Sequence, residues 1–163
     1  MEFMASLIAV TDMEKAKRFY VELMEQPVQM DFGENVVVGK GLALQTLNTW
    51  SDFIGLPQNE IGFGGKSSEL VFEVEDLDAF VEKLKTWPSV EWMHPVQKYP
   101  WGQRVLRLYD PDSHVVEVGE SMKTVIKRYL LNGCSVEEAM QRSMYPKEYV
   151  VMCKRELEQE GKL

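Results

Sequence analysis
Apolar positions along this chain recur at two alternating spacings. FMASLIAV is a short apolar run and predicts a strand. It stops at Thr11-Asp12, residues suited to capping a helix start. MEKAKRFYVELM then sets Ala16, Phe19, Tyr20 and Leu23 at helical spacing, and Pro27 ends that helix. PVQMDF, NVVVGK and GLALQTL predict three strands, divided by turns at Gly33-Glu34-Asn35 and Gly39-Lys40-Gly41. Residues 49–67, TWSDFIGLPQNEIGFGGKS, are glycine-rich without a clear period and read as a linker or a loop over a site. The order then recurs. SELVFEVE is a strand, Glu75-Asp76 caps DLDAFVEKLKTW, and VEWMHPVQ, QRVLRLY and HVVEVGE are three further strands.

Past Glu120 the pattern is helical. Met122, Val125, Ile126, Tyr129 and Leu130 form one stripe ending at Gly133. Ser135 to Glu138 reads as a capping box. Pro146 fits the first turn of a third helix, KEYVVMCKREL. These helices predict packing on the preceding modules or on a second copy of the chain.

Composition narrows the picture. Hydrophobic residues make up 45%, enough for a packed core. The net charge of −8 argues against a nucleic-acid partner. Residues 121–163 carry a balance of +2, but their basic residues alternate with glutamates as on a solvated face. No apolar run approaches the ~20 residues of a membrane helix. The start lacks a basic leader, so a cytoplasmic protein with Cys134 and Cys153 as free thiols is expected. GFGGKSS lacks the spacing of a phosphate-binding loop and precedes a strand.

The chemistry concentrates in the second repeat. HVVEVGE carries Glu117 among valines, and an isolated buried carboxylate is costly. Glu117 therefore faces water or faces a partner. Arg104 and Arg107 lie on opposite faces of QRVLRLY, so at most one looks inward, to pair with a glutamate or to clamp an anionic substrate group. Trp50, Trp92, Tyr99 and Trp101 suit a flat or apolar ligand, although capping the core is the commoner job of such residues. His94 is either structural or a proton carrier, and His114 alternates away from Glu117.

The βαβββ repeat, with VTDMEKAKRFYVELM early and RLYDPDSHVVEVGE late, resembles the glyoxalase / bleomycin-resistance / extradiol-dioxygenase (vicinal oxygen chelate) superfamily. The resemblance covers residues 3–120. It implies an α+β fold of two βαβββ modules, 1–48 and 68–120, forming a curved half-open barrel around a cavity. Residues 49–67 are then the linker and 121–163 a C-terminal helical extension. In the superfamily's enzymes the first and last strands of each module hold a divalent metal. Carried over position by position, that set is Ala5, Gln45, Glu69 and Glu117, with no imidazole. Alanine cannot ligate. Glu69, Glu117 and Gln45 as donors suit Mn²⁺, Mg²⁺ or Ca²⁺ better than Zn²⁺ or Ni²⁺.

The leading expectation is a glyoxalase-like protein that binds a small molecule, with a degenerate metal site and a homodimeric assembly. Arg107, Trp92, Trp101, Tyr99 and Trp50 would contact that molecule. A second reading is a metal-dependent lyase or isomerase in which Glu117, Glu69 and His94 are catalytic. A third is a regulatory or interaction module working through the helical tail. Hydrated rim carboxylates paired with Arg or Lys would serve none of these roles.

Overall fold
The computed structural model describes all 163 residues, Met1–Leu163. The chain divides into two compact units, Met1–Glu69 with Tyr109–Val115, and Leu70–Leu108 with Val116–Leu163.

The first unit contains β1 (Ser6–Val10), α1 (Met13–Lys17), a π-helical continuation (Arg18–Leu23), β2 (Val28–Asp31), β3 (Asn35–Val38) and β4 (Leu42–Thr46). The sheet order is β1-β4-β3-β2, with β1 parallel to β4 and the other pairs antiparallel. Register follows the hydrophobic alternation. Val10, Leu44, Val36 and Val38 share a face and are fully buried, as are Ala16, Tyr20 and Leu23 of the helical segment. Leu7, Ala9, Ala43, Gln45, Asn35 and Val37 share the opposite face. Asp12 caps α1 by accepting from the Lys15 amide at 3.0 Å.

Two expectations need correction here. The first strand begins at Ser6, so Phe3 and Ala5 precede it. Residues 49–54, read as part of the linker or loop, belong instead to helix α2 (Leu47–Ile54), closed by Gly55 in the left-handed conformation. A 3₁₀ turn, Gln58–Glu60, follows. Leu47, Trp50, Ser51 and Ile54 do have helical spacing, but β-favouring Thr46 and Thr49 hide it.

The Asp-Pro-Asp turn belongs to this first unit. Tyr20 donates to Asp110 Oδ2 at 2.7 Å, and the His114 amide donates to Asp110 Oδ1 at 2.8 Å. His114 Nδ1 sits 2.9 Å from Asp110 Oδ2. Burial lowers the His114 pKa, but the Asp110 hydrogen bond and the Asp110 and Asp112 charges together outweigh it and leave the group raised. His114 is thus a structural tie within the turn.

The second unit repeats the pattern with β5 (Leu70–Val74), α3 (Leu77–Leu84), β6 (Glu91–Lys98), β7 (Arg104–Tyr109) and β8 (Val115–Glu120). Its sheet order, β5-β8-β7-β6, matches that of the first unit. Asp76 caps α3 by accepting from the Ala79 amide at 2.9 Å. Val116 and Val118 on β8, Leu106 and Leu108 on β7 and Leu77 on α3 form its buried core.

The extension belongs to the second unit. It comprises α4 (Met122–Leu131), α5 (Val136–Ser143) and α6 (Lys147–Gln159). The predicted capping box is present between Ser135 and Glu138. Ile126, Leu130, Ala139, Val150, Cys153 and Leu157 form a core of the extension's own, so part of the predicted stripe packs within the tail. The tail is fastened at Glu120, which is only 1% exposed. Arg128 forks onto its carboxylate at 2.7 and 2.9 Å. Arg104 Nε reaches it at 2.9 Å and also forks onto Asp78 of α3 at 3.0 Å for each bond. Burial pushes Glu120 upward, but the hydrogen bonds from Arg128 and Arg104 prevail and hold it at about 2.

This depression fixes a pH window. The Glu120 contribution is complete above the ordinary glutamate pKa of 4.5 and is lost as pH falls toward about 2. Glu120→Gln is expected to destabilise the protein by about 3 kcal/mol near neutral pH. In denaturation curves taken from pH 7 to pH 2, the gap from wild type should shrink below pH ~4.5. A gap independent of pH would contradict this assignment.

Candidate functional site
Strand alternation puts Glu117 and Glu120 on opposite faces of β8, and Arg107 and Arg104 on opposite faces of the neighbouring β7. The face of Arg104 and Glu120 carries α3 and the tail. The other carries Arg107 and Glu117, together with Val71, which is paired with Glu117 in the β5–β8 register.

Glu117 is 9% exposed, and Arg107 Nη2 donates to its Oε2. Arg107 Nη1 donates to Tyr99 Oη at 2.6 Å and lies 3.2 Å from His94 Nε2. Guanidinium nitrogens only donate, so His94 Nε2 accepts and the ring proton belongs on Nδ1. Nδ1 is 2.8 Å from the Pro95 carbonyl, the acceptor that this tautomer requires. The network therefore assigns His94 its orientation.

Tyr99 stacks on Trp101 with ring centroids 4.6 Å apart and planes 19° apart. Trp101 Nε1 donates to Gln103 Oε1 at 2.9 Å, and Gln103 Nε2 donates to the Glu120 carbonyl at 2.8 Å. A turn closes this loop, since the Gly102 amide donates to Tyr99 O and the Tyr99 amide to Gln103 O, both at 2.9 Å. Trp92, 40% exposed, alternates onto the His94 side of β6. Val71, 61% exposed, adds apolar surface on the Glu117 side.

Of the predicted site residues, Glu117, Arg107, His94, Tyr99 and Trp101 meet in one cluster of the second unit. Gln45 and Trp50 belong to the first unit, on β4 and α2. Glu69 is exposed, stands one residue before β5, and groups with the first unit. The sequence reading overlooked Gln103, Glu120 and Arg128. Alternation held the signal, because Glu120 falls on the helix-covered face of HVVEVGE and a carboxylate there requires cationic partners.

The expected metal donors are not assembled within either unit. Gln45 Oε1 accepts from Asn35 at 2.7 Å, and Gln45 Nε2 donates to Glu34 O at 3.0 Å and to Thr49. Glu117 is held by a guanidinium, which already supplies the positive charge that a cation would bring. No group of three or more His, Cys, Asp or Glu side chains is arranged to hold a metal ion. No helix is long and apolar enough to cross a membrane.

Residues 3–123 match the model of the glyoxalase-like domain. Among solved structures, a protein of unknown function from Agrobacterium tumefaciens str. C58 is 34% identical, with a TM-score of 0.65 over 74% of this chain and 94% of its own. A glyoxalase-related enzyme from Fulvimarina pelagi shares the fold at 18% identity and a TM-score of 0.62, over 74% of this chain and 88% of its own. A lactoylglutathione lyase from Agrobacterium tumefaciens does so at 21% identity and a TM-score of 0.56, over 74% and 93%. No curated protein matches. The two βαβββ sheets and the family match over most of the chain agree, and the chain belongs to the glyoxalase-like domain family.

Proposed function
We propose that this protein binds a small organic molecule on the β6–β7–β8 face of the second unit without a metal. In this reading the Arg107–Glu117 ion pair does the charge-neutralising work that a divalent cation does in metal-dependent relatives. The single observation that carries it is the Arg107 guanidinium on the Glu117 carboxylate, at the late-strand position where the superfamily's enzymes place a metal ligand.

The surroundings define the ligand chemistry. Within the pair, the guanidinium offsets the charge of the carboxylate. Tyr99 accepts from Arg107, which leaves its own proton to donate to a ligand oxygen. The Tyr99–Trp101 stack, Trp92 and Val71 supply flat apolar area. A planar, uncharged molecule with a carbonyl or ether oxygen suits that set best. The lyase reading has less support, because it needs a cation at a carboxylate that Arg107 already holds. A tail acting as the working surface has less as well, because the tail buries its own apolar stripe.

A melting-temperature screen of neutral planar aromatics, aromatic carboxylates and aromatic amines tests the proposal. A stabilising neutral aromatic is expected, worth about 2.7 kcal/mol at a hundredfold excess over Kd, with the response lost in Tyr99→Phe/Trp101→Leu. No stabiliser in any class would contradict it.

The ion pair makes its own prediction. Arg107→Met takes the guanidinium away from the buried Glu117 carboxylate, and chemical denaturation should show a loss of about 3–5 kcal/mol. Adding Glu117→Met should restore much of that loss, since both charges are then gone. Additive losses would mean that the two groups are not coupled.

A further inference from the structure
We infer that the C-terminal extension is a splint for the aromatic loop: Arg128 and Tyr129 of α4 are positioning residues that hold Tyr99 and Trp101 beside the Arg107–Glu117 pair. The family match ends at residue 123, so both residues lie outside it and reach back into it. Arg128 spends its fork on Glu120, and Nη2 also donates to the Gly102 carbonyl at 2.9 Å. The Tyr129 hydroxyl fills the space that a β-carbon at position 102 would need. Gly102 sits at φ +89°, so the loop meets α4 at a residue that must be glycine on two counts.

The chain of contacts runs without a gap. Arg128 holds Glu120 and Gly102, the Glu120 carbonyl holds Gln103, Gln103 holds Trp101, and Trp101 stacks on Tyr99. Tyr99 in turn accepts from Arg107. From within, the loop is fixed by its two turn bonds, the Trp101–Gln103 hydrogen bond and the Tyr99–Trp101 stack. α4 is itself immobilised, because Ile126 and Leu130 are buried in the core of the extension. A loop tied at its apex to a packed helix loses freedom before any ligand arrives, and this preorganises whatever the aromatic pair contacts. The consequence for a ligand rests on the proposed function. The tethering itself does not.

The test follows the Trp101 indole N–H and the exchange of the Tyr99 and Gly102 amides by NMR in the full-length protein, without ligand. Arg128→Met should speed exchange of both amides about tenfold and shift the indole signal. Arg128→Lys, which keeps the charge but not the fork, should fall between Arg128→Met and wild type. Lys127→Met is the control, since Lys127 pairs with Glu156 and Glu160 inside the tail and should leave both readouts at wild-type values. Wild-type readouts in a folded Arg128→Met, or equal changes in Lys127→Met, would overturn the inference. If Arg128→Met does not fold, Arg128→Lys and Tyr129→Phe decide by the same signals, and wild-type values in both would overturn it. Because no ligand enters, failure of the melting screen and failure of this test are separate results.

Discussion
A carboxylate placed on a buried strand must be met by a cation, and β8 places two. Glu117 and Glu120 stand three residues apart and so face opposite ways. The adjacent strand β7 carries Arg107 and Arg104, also three residues apart, and one register satisfies both pairs at once. A one-residue slip would set four charges against apolar neighbours on the wrong faces. The two ion pairs thus act as a register lock for the central strands of the second unit.

The two faces then part company. On the helix-covered face the Glu120 carboxylate recruits Arg128 as well as Arg104 and becomes the anchor of the C-terminal helices. On the other face Arg107 spreads its donors over Glu117, Tyr99 and His94. The guanidinium orders three side chains by geometry, a role that a compact ammonium could not fill. The hairpin loop between β6 and β7 joins the faces, because Trp101 and Gln103 are tied to both systems.

Much of this was legible in the sequence. The caps at Asp12, Asp76 and Ser135, the strand alternation and the twice-repeated element order are local signals, and each corresponds to an element of the fold. The opposite orientations of Arg104 and Arg107 also follow from alternation alone. Partner choice was not legible. Nothing local tells Glu117 that Arg107 will meet it, because that depends on the β7–β8 register. Glu120 escaped notice for a related reason. It ends the strand and reads as a surface residue until the tail is seen to cover it. Helix α2 was hidden because Thr46 at its cap and Thr49 within it favour strand, while its apolar spacing spans only two turns.

The central claim is that Arg107 takes the place of a cation at Glu117. The most direct measurement is a crystal structure grown in excess Mn²⁺, read by anomalous scattering. No manganese peak is expected at the Glu117 carboxylate, and the guanidinium pair should be intact. A peak there, with Glu117 among its ligands and Arg107 swung away, would contradict it.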